Sequence, residues 1–342
     1  MSDALRRRPP ERTLRWVTDS IGAGSRIASL RRLTEGGWHA NHALTVVDRH
    51  GRPHRLVLRR WARPEWELED PDFTAEREAL VLDLLSASSP PTPPLVAADA
   101  NAAACDVPTL LVGRLPGRPP GLPRDMGSFL SGLARVLHEI HAVAGRAAES
   151  LPPYRRYHDP DRLEAPAWSR RPELWERALE IAKAEPPPGP RCFIHRDFHP
   201  ENTLWWRGRL TGVVDWTSAS WGPAAVDTAH MRWNLAVSYG IDAADEFLRL
   251  ARPPGSSSAD DQRYWDLVTV CDLLPELDPE DWPAFDLARL ERYVDGAIRR
   301  PISAVSYPPS ASTCERKSAD SSSDQRGASS SLSTSWRSST RS

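Results

Sequence analysis

The chain of 342 residues has four cysteines, Cys105, Cys192, Cys271 and Cys314, and no two of them form a Cys-x-x-Cys pair. With no such spacing, neither a zinc site nor a disulfide framework is expected, and a reducing cytoplasm is the setting that fits. Basic excess is lacking too. Lys and Arg number 44 against 46 Asp and Glu, a net charge of -2, which gives no electrostatic reason for DNA, RNA or a membrane surface as partner. No run approaches the ~20 apolar residues a membrane helix needs. Arg6-Arg7-Arg8 leads into Pro9-Pro10-Glu11-Arg12, so the apolar core of a signal peptide is not indicated. No internal repeat is evident.

What is present is enough for a large core or two lobes: 40% of the residues are hydrophobic and 26% charged. From Ser303 onward Ser, Thr, Pro and Arg dominate, with runs such as Ser321-Ser322-Ser323 and Ser329-Ser330-Ser331. Such a segment has almost nothing to bury and reads as a disordered tail.

The most informative stretch runs from Cys192 through His195-Arg196-Asp197 to Asn202, then across a turn at Arg207-Gly208 to a second apolar strand ending on Asp215. His-Arg-Asp, four residues, Asn is the spacing of a kinase catalytic loop. Phosphoryl transfer needs one carboxylate beside the attacking hydroxyl, with an amide and a second carboxylate to hold a magnesium ion on the nucleotide phosphates. Asp197, Asn202 and Asp215 supply that set.

The segment His195–Asn202, the strand ending at Asp215 and the following Trp221-Gly222-Pro223-Ala224-Ala225-Val226-Asp227 resemble the aminoglycoside phosphotransferase family, whose fold is similar to that of protein kinases and which includes choline-type kinases. The likeness covers roughly Leu33 to Arg300. It implies an α+β, protein-kinase-like two-lobed fold, with a small, mainly antiparallel β N-lobe carrying one helix and a larger, mostly helical C-lobe. The expected division is an N-terminal extension (1–29), an N-lobe (30–113), a C-lobe (114–300) and the tail (301–342). It also implies ATP and Mg2+ as cofactors and a small-molecule hydroxyl as phosphate acceptor.

Individual roles follow from the same resemblance. Asp197 is the expected base, Asn202 and Asp215 the expected metal ligands, and His195 and Asp227 supports of the loop. Gly36 and Gly37, between strands around Leu30–Leu33 and Ala43–Val47, match the hairpin over the phosphates, although a Gly-Gly turn needs no ligand. Arg59, ending the strand Leu56-Val57-Leu58, stands where kinases have lysine. Its planar fork makes the exchange chemically significant. On the helix capped by Thr74, with apolar residues at Leu80, Val81, Leu84 and Leu85, Glu78 is the expected partner of Arg59 and Glu76 its competitor. Gly113 and Leu115 lie at the expected hinge, near the adenine edge.

Further on, Leu130, Leu133, Leu137 and Ile140 mark a helix, with His138 and His141 on it, and Pro172 to Ala184 a second. Three more helical patterns follow Asp227, the first through Val226, His230, Trp233 and Val237. The resemblance implies that acidic Asp266, Asp272, Glu276 and Asp278 could meet a cationic amino alcohol; as charges alone they read as a solvated helix face and loop. Trp216, Trp221 and Trp265, among fourteen tryptophans, suit either an aromatic pocket or the core. Asp215 is followed by Trp216-Thr217 instead of Phe-Gly, and no Ala-Pro-Glu follows, which argues against a protein substrate. Two rival readings stay open: a zinc hydrolase using His195, Asp197 and His199, and a nucleotide-binding protein without catalysis, prompted by Arg59. Nothing in the sequence sets the oligomeric state.

Overall fold

The computed structural model describes residues 7–33, 39–62, 73–252, 259–277, 280 and 284–299. The Gly36-Gly37 pair, Asp278 and the serine-rich tail lie outside the described residues. Among the described residues no helix is long and apolar enough to cross a membrane.

Five antiparallel strands, β1 (Arg26–Arg32), β2 (Ala40–Val47), β3 (Pro53–Arg60), β4 (Leu95–Asp99) and β5 (Thr109–Gly113), form a sheet in the order β1-β2-β3-β5-β4. The β2–β3 hairpin pairs Asn41 with Arg59 and Leu44 with Leu56. Its turn is tied by Asp48, whose Oδ1 accepts from the N–H groups of His50 and Arg52 at 2.9 Å each. The two-residue period of a strand sends alternate side chains to opposite faces. Leu44, Val46, Leu56, Leu58 and Leu111 lie on one face and pack with Val17 of helix α1 (Glu11–Ile21). Leu110 and Val112 lie on the other and join the main core. Residues 11–21 of the expected N-terminal extension thus form a helix that covers the outer face of the sheet. Thr13 Oγ1 donates to Asp106 Oδ1 at 2.7 Å, and Arg60 pairs with the same carboxylate, which pins α1 to the strand ends.

Helix α2 (Ala75–Leu85) begins where expected: Thr74 Oγ1 accepts from Arg77 N at 3.1 Å. This satisfies one of the amide groups that a helix start leaves unpaired. Its inner face is Ala75, Glu78, Val81, Leu82 and Leu85. Leu80, expected on the apolar face, is 57% exposed. The helix is turned so that Glu78 is buried and Leu80 is left to solvent.

Beyond Gly113 the chain is mostly helical. Helix α3 (Met126–His141) buries Leu130, Leu133, Leu137 and Ile140 together with Phe129, Ala134 and Val136, and Asp125 caps it. Helix α4 (Pro172–Lys183) leads to β6 (Arg191–Ile194), which pairs with β9 (Ser220–Pro223), while β7 (Thr203–Trp206) and β8 (Arg209–Val213) form a hairpin. Arg207 and Gly208 both have positive φ, 50° and 76°, as a two-residue hairpin turn matched to strand twist requires. Helices α5 (Ala224–Tyr239), α6 (Ile241–Ala251), α7 (Ala259–Leu273) and α8 (Ala284–Arg299) complete the fold. Helix α5 is buried on nearly all sides, including Asp227 and Arg232.

Between the sheet and the β7–β8 hairpin, Arg118 and Trp205 exchange backbone bonds of 3.3 and 2.8 Å. The chain can come this close because residue 117 is glycine. Gly117 has φ +109°, and a Cβ there would sit 2.8 Å from both Trp205 O and Thr211 Oγ1. Gly117→Ala is therefore expected to destabilise the protein by about 1–3 kcal/mol, read as a lower midpoint in denaturant unfolding.

Candidate active site

Strand β6 delivers His195-Arg196-Asp197 into a loop held from behind by α5. The buried Asp227 carboxylate accepts from His195 N at 2.9 Å and from Arg196 N at 2.7 Å. His141 Nε2 lies 3.0 Å from the same carboxylate. The loop needs this grip, because Arg196 has φ 70°, a conformation unfavourable for a residue with a side chain unless its surroundings hold it. His195 is fully buried with its Nε2 3.0 Å from Val214 O and its ring 4.5 Å from that of Trp216. Burial lowers its pKa, against the pull of Asp227 and Asp197. A neutral ring facing a carbonyl must donate, so His195 ties the loop to the segment leading into Asp215.

Asp197 is held from three sides. Asn202 Nδ2 donates to its carbonyl at 2.9 Å and its Oδ2 at 3.0 Å. His230 Nε2 lies 3.3 Å from Oδ1 and His199 Nε2 3.7 Å from Oδ2. Burial opposes ionisation of Asp197, but the surrounding imidazoles, His199 foremost and then His230 and His195, hold the carboxyl well below its ordinary range. A third of the side chain remains exposed, 33%, which leaves the ionised carboxylate open to a ligand.

The second cluster joins the sheet to α2 and the end of β8. Arg59 Nε donates to Glu78 Oε2 at 2.6 Å, and its NH2 group pairs with Asp215 and donates to Thr217 Oγ1 at 3.2 Å. Glu76 is exposed, so the competition between the two glutamates resolves to Glu78. Glu78 Oε1 also accepts from Trp216 N at 3.3 Å. Burial weakens the Arg59 charge, yet Asp215 and Glu78 outweigh it and the guanidinium stays a cation. Asp215 has φ 66° and ψ 61°, a second left-handed residue without glycine's freedom, fixed by Arg59 and Thr217.

A cavity of about 1170 Å³ joins these clusters. Arg59, Glu78, Gly113, Leu115, Asp197, Asn202 and Asp215 all line it, so residues distant in sequence share one space; His195 and Asp227 stand behind. Gly113 N donates to Pro94 O at 2.8 Å, so its amide serves the fold. At the other end the wall includes Tyr157, Trp233, Asp272 and Glu276.

Magnesium keeps few protein ligands, all oxygen, and completes its shell with water and phosphate. The residues present fit that demand. With Asn202 Nδ2 spent on Asp197, the amide oxygen is left over, and the bonds to Asp215 fall on Oδ1 and leave Oδ2. The zinc arrangement does not form: His195 Nε2 turns to Val214 O while His199 turns to Asp197. Among the described residues no group of three or more His, Cys, Asp or Glu is placed to hold a metal.

Other expectations are relocated. Asp266 is buried against Arg232, and Asp272 is held by Arg156 Nε at 3.0 Å and Tyr157 N at 3.2 Å. Of that acidic stretch, Glu276 and the already paired Asp272 reach the cavity wall. Trp216 and Trp265 belong to the core. His138 Nε2 contacts Ala251 O at 2.8 Å. His230 was legible only as part of a helical face. Its place one turn beyond Asp227 was the available signal.

The family model for the phosphotransferase enzyme family, APH, matches residues 31–268. No curated protein is similar enough in sequence to count as a relative. Among solved structures, the aminoglycoside phosphotransferase APH(4)-Ia is similar with a TM-score of 0.57 at 19% identity, covering 84% of this chain and 97% of that one. The macrolide 2'-phosphotransferase MphH from Brachybacterium faecium gives 0.51 at 19% identity, covering 86% and 99%. A thermostable mutant of APH(4)-Ia in ternary complex with ADP and hygromycin B gives 0.53 at 17% identity, covering 83% and 97%. At these identities the likeness is one of fold. The family match spans well over half of the chain and, with that fold, places the protein: it belongs to the phosphotransferase enzyme family.

Proposed function

We propose that the protein transfers the γ-phosphoryl group of ATP to a hydroxyl of a small molecule. The observation that carries this is the convergence on one cavity of an ionised, partly exposed Asp197, the oxygens of Asn202 and Asp215, and the Arg59–Glu78 pair. Asp197 orients the acceptor hydroxyl and takes its proton as the oxygen–phosphorus bond forms and the bond to the leaving ADP breaks. Arg59 supplies a buried cation for the nucleotide phosphates, anchored by Glu78 as the kinase lysine is by its helix glutamate. Asn202 and Asp215 would hold Mg2+, which neutralises phosphate charge. The hinge from Gly113 to Leu115 would receive the adenine, and Gly36 and Gly37 the phosphates. The division into lobes at residue 113 belongs to the same reading.

The acceptor in this reading is an aminoglycoside-like molecule or another amino alcohol. With Asp266 and Asp272 engaged by arginines, an ammonium group would be met by Glu201 of the cavity wall. A non-catalytic nucleotide binder is disfavoured because Arg59 pairs with Glu78, as the strand lysine of kinases does with its helix glutamate, while Asp197, Asn202 and Asp215 line the same cavity. Arg59→Met is expected to lower kcat by about 10²–10³-fold, the range for removing a positioned charge donor. Arg59→Lys should fall between, since an ammonium cannot span Glu78 and Asp215 as the fork does. Steady-state ADP release checks both, and an Arg59→Met enzyme at the wild-type rate would remove Arg59 from the mechanism.

A further inference from the structure

Asp197 has a neighbour that the catalytic-loop motif does not include. We infer that His230 is a positioning residue for Asp197, fixing the plane of its carboxylate from the side opposite Asn202. The inference rests on the reading of Asp197 as the base.

The geometry divides the carboxylate between two holders. Asn202 takes Oδ2 at 3.0 Å from within the loop, and His230 stands 3.3 Å from Oδ1 on helix α5. Helix α5 is the element whose Asp227 holds the backbone of His195 and Arg196. One rigid helix therefore sets both the loop backbone and its reactive side chain, three residues apart and on the same face. The ring of His230 is itself held, with Trp233 at 5.3 Å and His199 at 5.7 Å between centroids. Its side chain is 13% exposed and lines the same cavity.

Burial lowers the pKa of His230 to about 4, against the opposing charge of Asp197, so the ring is neutral at pH 7. An ionised carboxylate only accepts hydrogen bonds. A ring nitrogen 3.3 Å from that oxygen is a favourable neighbour only as N–H, so the contact requires the Nε2–H tautomer. A neutral donor suits positioning: it holds the oxygen without taking the proton that Asp197 is to receive. His199, at 3.7 Å and on the loop itself, is the weaker holder.

The test uses the full chain with Mg2+ and ATP across hydroxyl acceptors, comparing wild type, His230→Phe and His230→Gln. Glutamine places an amide N–H as many bonds from the backbone as Nε2 of histidine. His230→Phe is expected to lose about 10²-fold in kcat, the cost of a misplaced catalytic group, with KM for ATP unchanged. His230→Gln should recover most of the rate. Unchanged turnover in His230→Phe, or glutamine no better than phenylalanine, would overturn the inference.

A second measurement reads the contact even without turnover: nitrogen shifts of the imidazole rings at pH 7, in wild type and Asp197→Asn. A His230 ring in the Nε2–H form that responds to Asp197→Asn supports the contact, and an Nδ1–H ring or an unresponsive one overturns it. Failure of the underlying reading looks different: wild type would neither bind ATP nor release ADP.

Discussion

Asp197→Asn is expected to lower phosphotransfer by roughly two to four decades, the range for a positioned general base, while ATP still binds. The substitution keeps size and shape, so Asn202 Nδ2 retains the backbone carbonyl of residue 197 to donate to, and Asp227 still grips the loop through backbone groups of its neighbours. What is lost is the negative charge that His199 and His230 stabilise and the capacity to accept the acceptor's proton. The amide also brings a donor beside His230 Nε2 or Asn202 Nδ2, whichever way it is flipped, so one of the two contacts becomes donor against donor. Steady-state kinetics with a thermal-shift measurement of ATP binding separates the effects: kcat should collapse and the nucleotide-dependent shift should persist. Wild-type turnover in Asp197→Asn would remove Asp197 as base.

The largest expected effect on stability lies away from the cavity. Arg232 is completely buried on α5 and pairs with Asp266 of α7, whose side chain is 1% exposed; Asp245 of α6 accepts from its other amino group at 2.8 Å. Asp266→Ala leaves a buried guanidinium with one half-exposed carboxylate for compensation, and breaking a buried pair in this way costs about 3–5 kcal/mol. Gln262, which donates to Asp266 Oδ1 at 3.0 Å and to Ala225 O at 3.4 Å, loses the shorter of its two bonds as well. For a chain of this size the melting temperature should fall by on the order of 10 °C. Because α5 carries Asp227 and His230, activity at low temperature should survive only where the helix remains folded. A loss below about 1 kcal/mol would mean that water or Asp245 replaces the missing carboxylate, since the penalty assumes an uncompensated charge.

How far the sequence could be read follows from where each residue's neighbours lie along the chain. Asp197 and Asn202 belong to one short loop, so their spacing alone carries their relation, and the structure joins them by two bonds. Asp215, at the end of the next hairpin, was nearly as plain. Glu78 and Glu76 differ only in which side of α2 turns inward; the sheet decides that, exposing Leu80 to bury Glu78. Helix α5 was legible as a helix through Val226, His230, Trp233 and Val237, but it is buried on nearly every side, so that pattern did not set His230 apart from the core residues around it. Helix α1 carries Leu14, Val17 and Ile21 at helical spacing, with Trp16 and Ile21 packed beside Val17, so its stripe was legible in the sequence. The acidic stretch misled: Asp266 and Asp272 look like a solvated face until the long-range arginines, Arg232 and Arg156, are brought against them.

The most direct test of the central claim is magnesium-dependent ADP release from ATP by the full chain, screened over aminoglycosides, choline-like alcohols, macrolides and sugars, with Asp197→Asn in parallel. The account predicts that at least one hydroxyl acceptor raises ADP release above the ATP-only rate, that chelating magnesium abolishes it, and that Asp197→Asn loses it. Acceptor phosphorylation that survives in Asp197→Asn, or wild-type protein that binds no ATP in a thermal-shift control and releases no ADP with any acceptor, would contradict it.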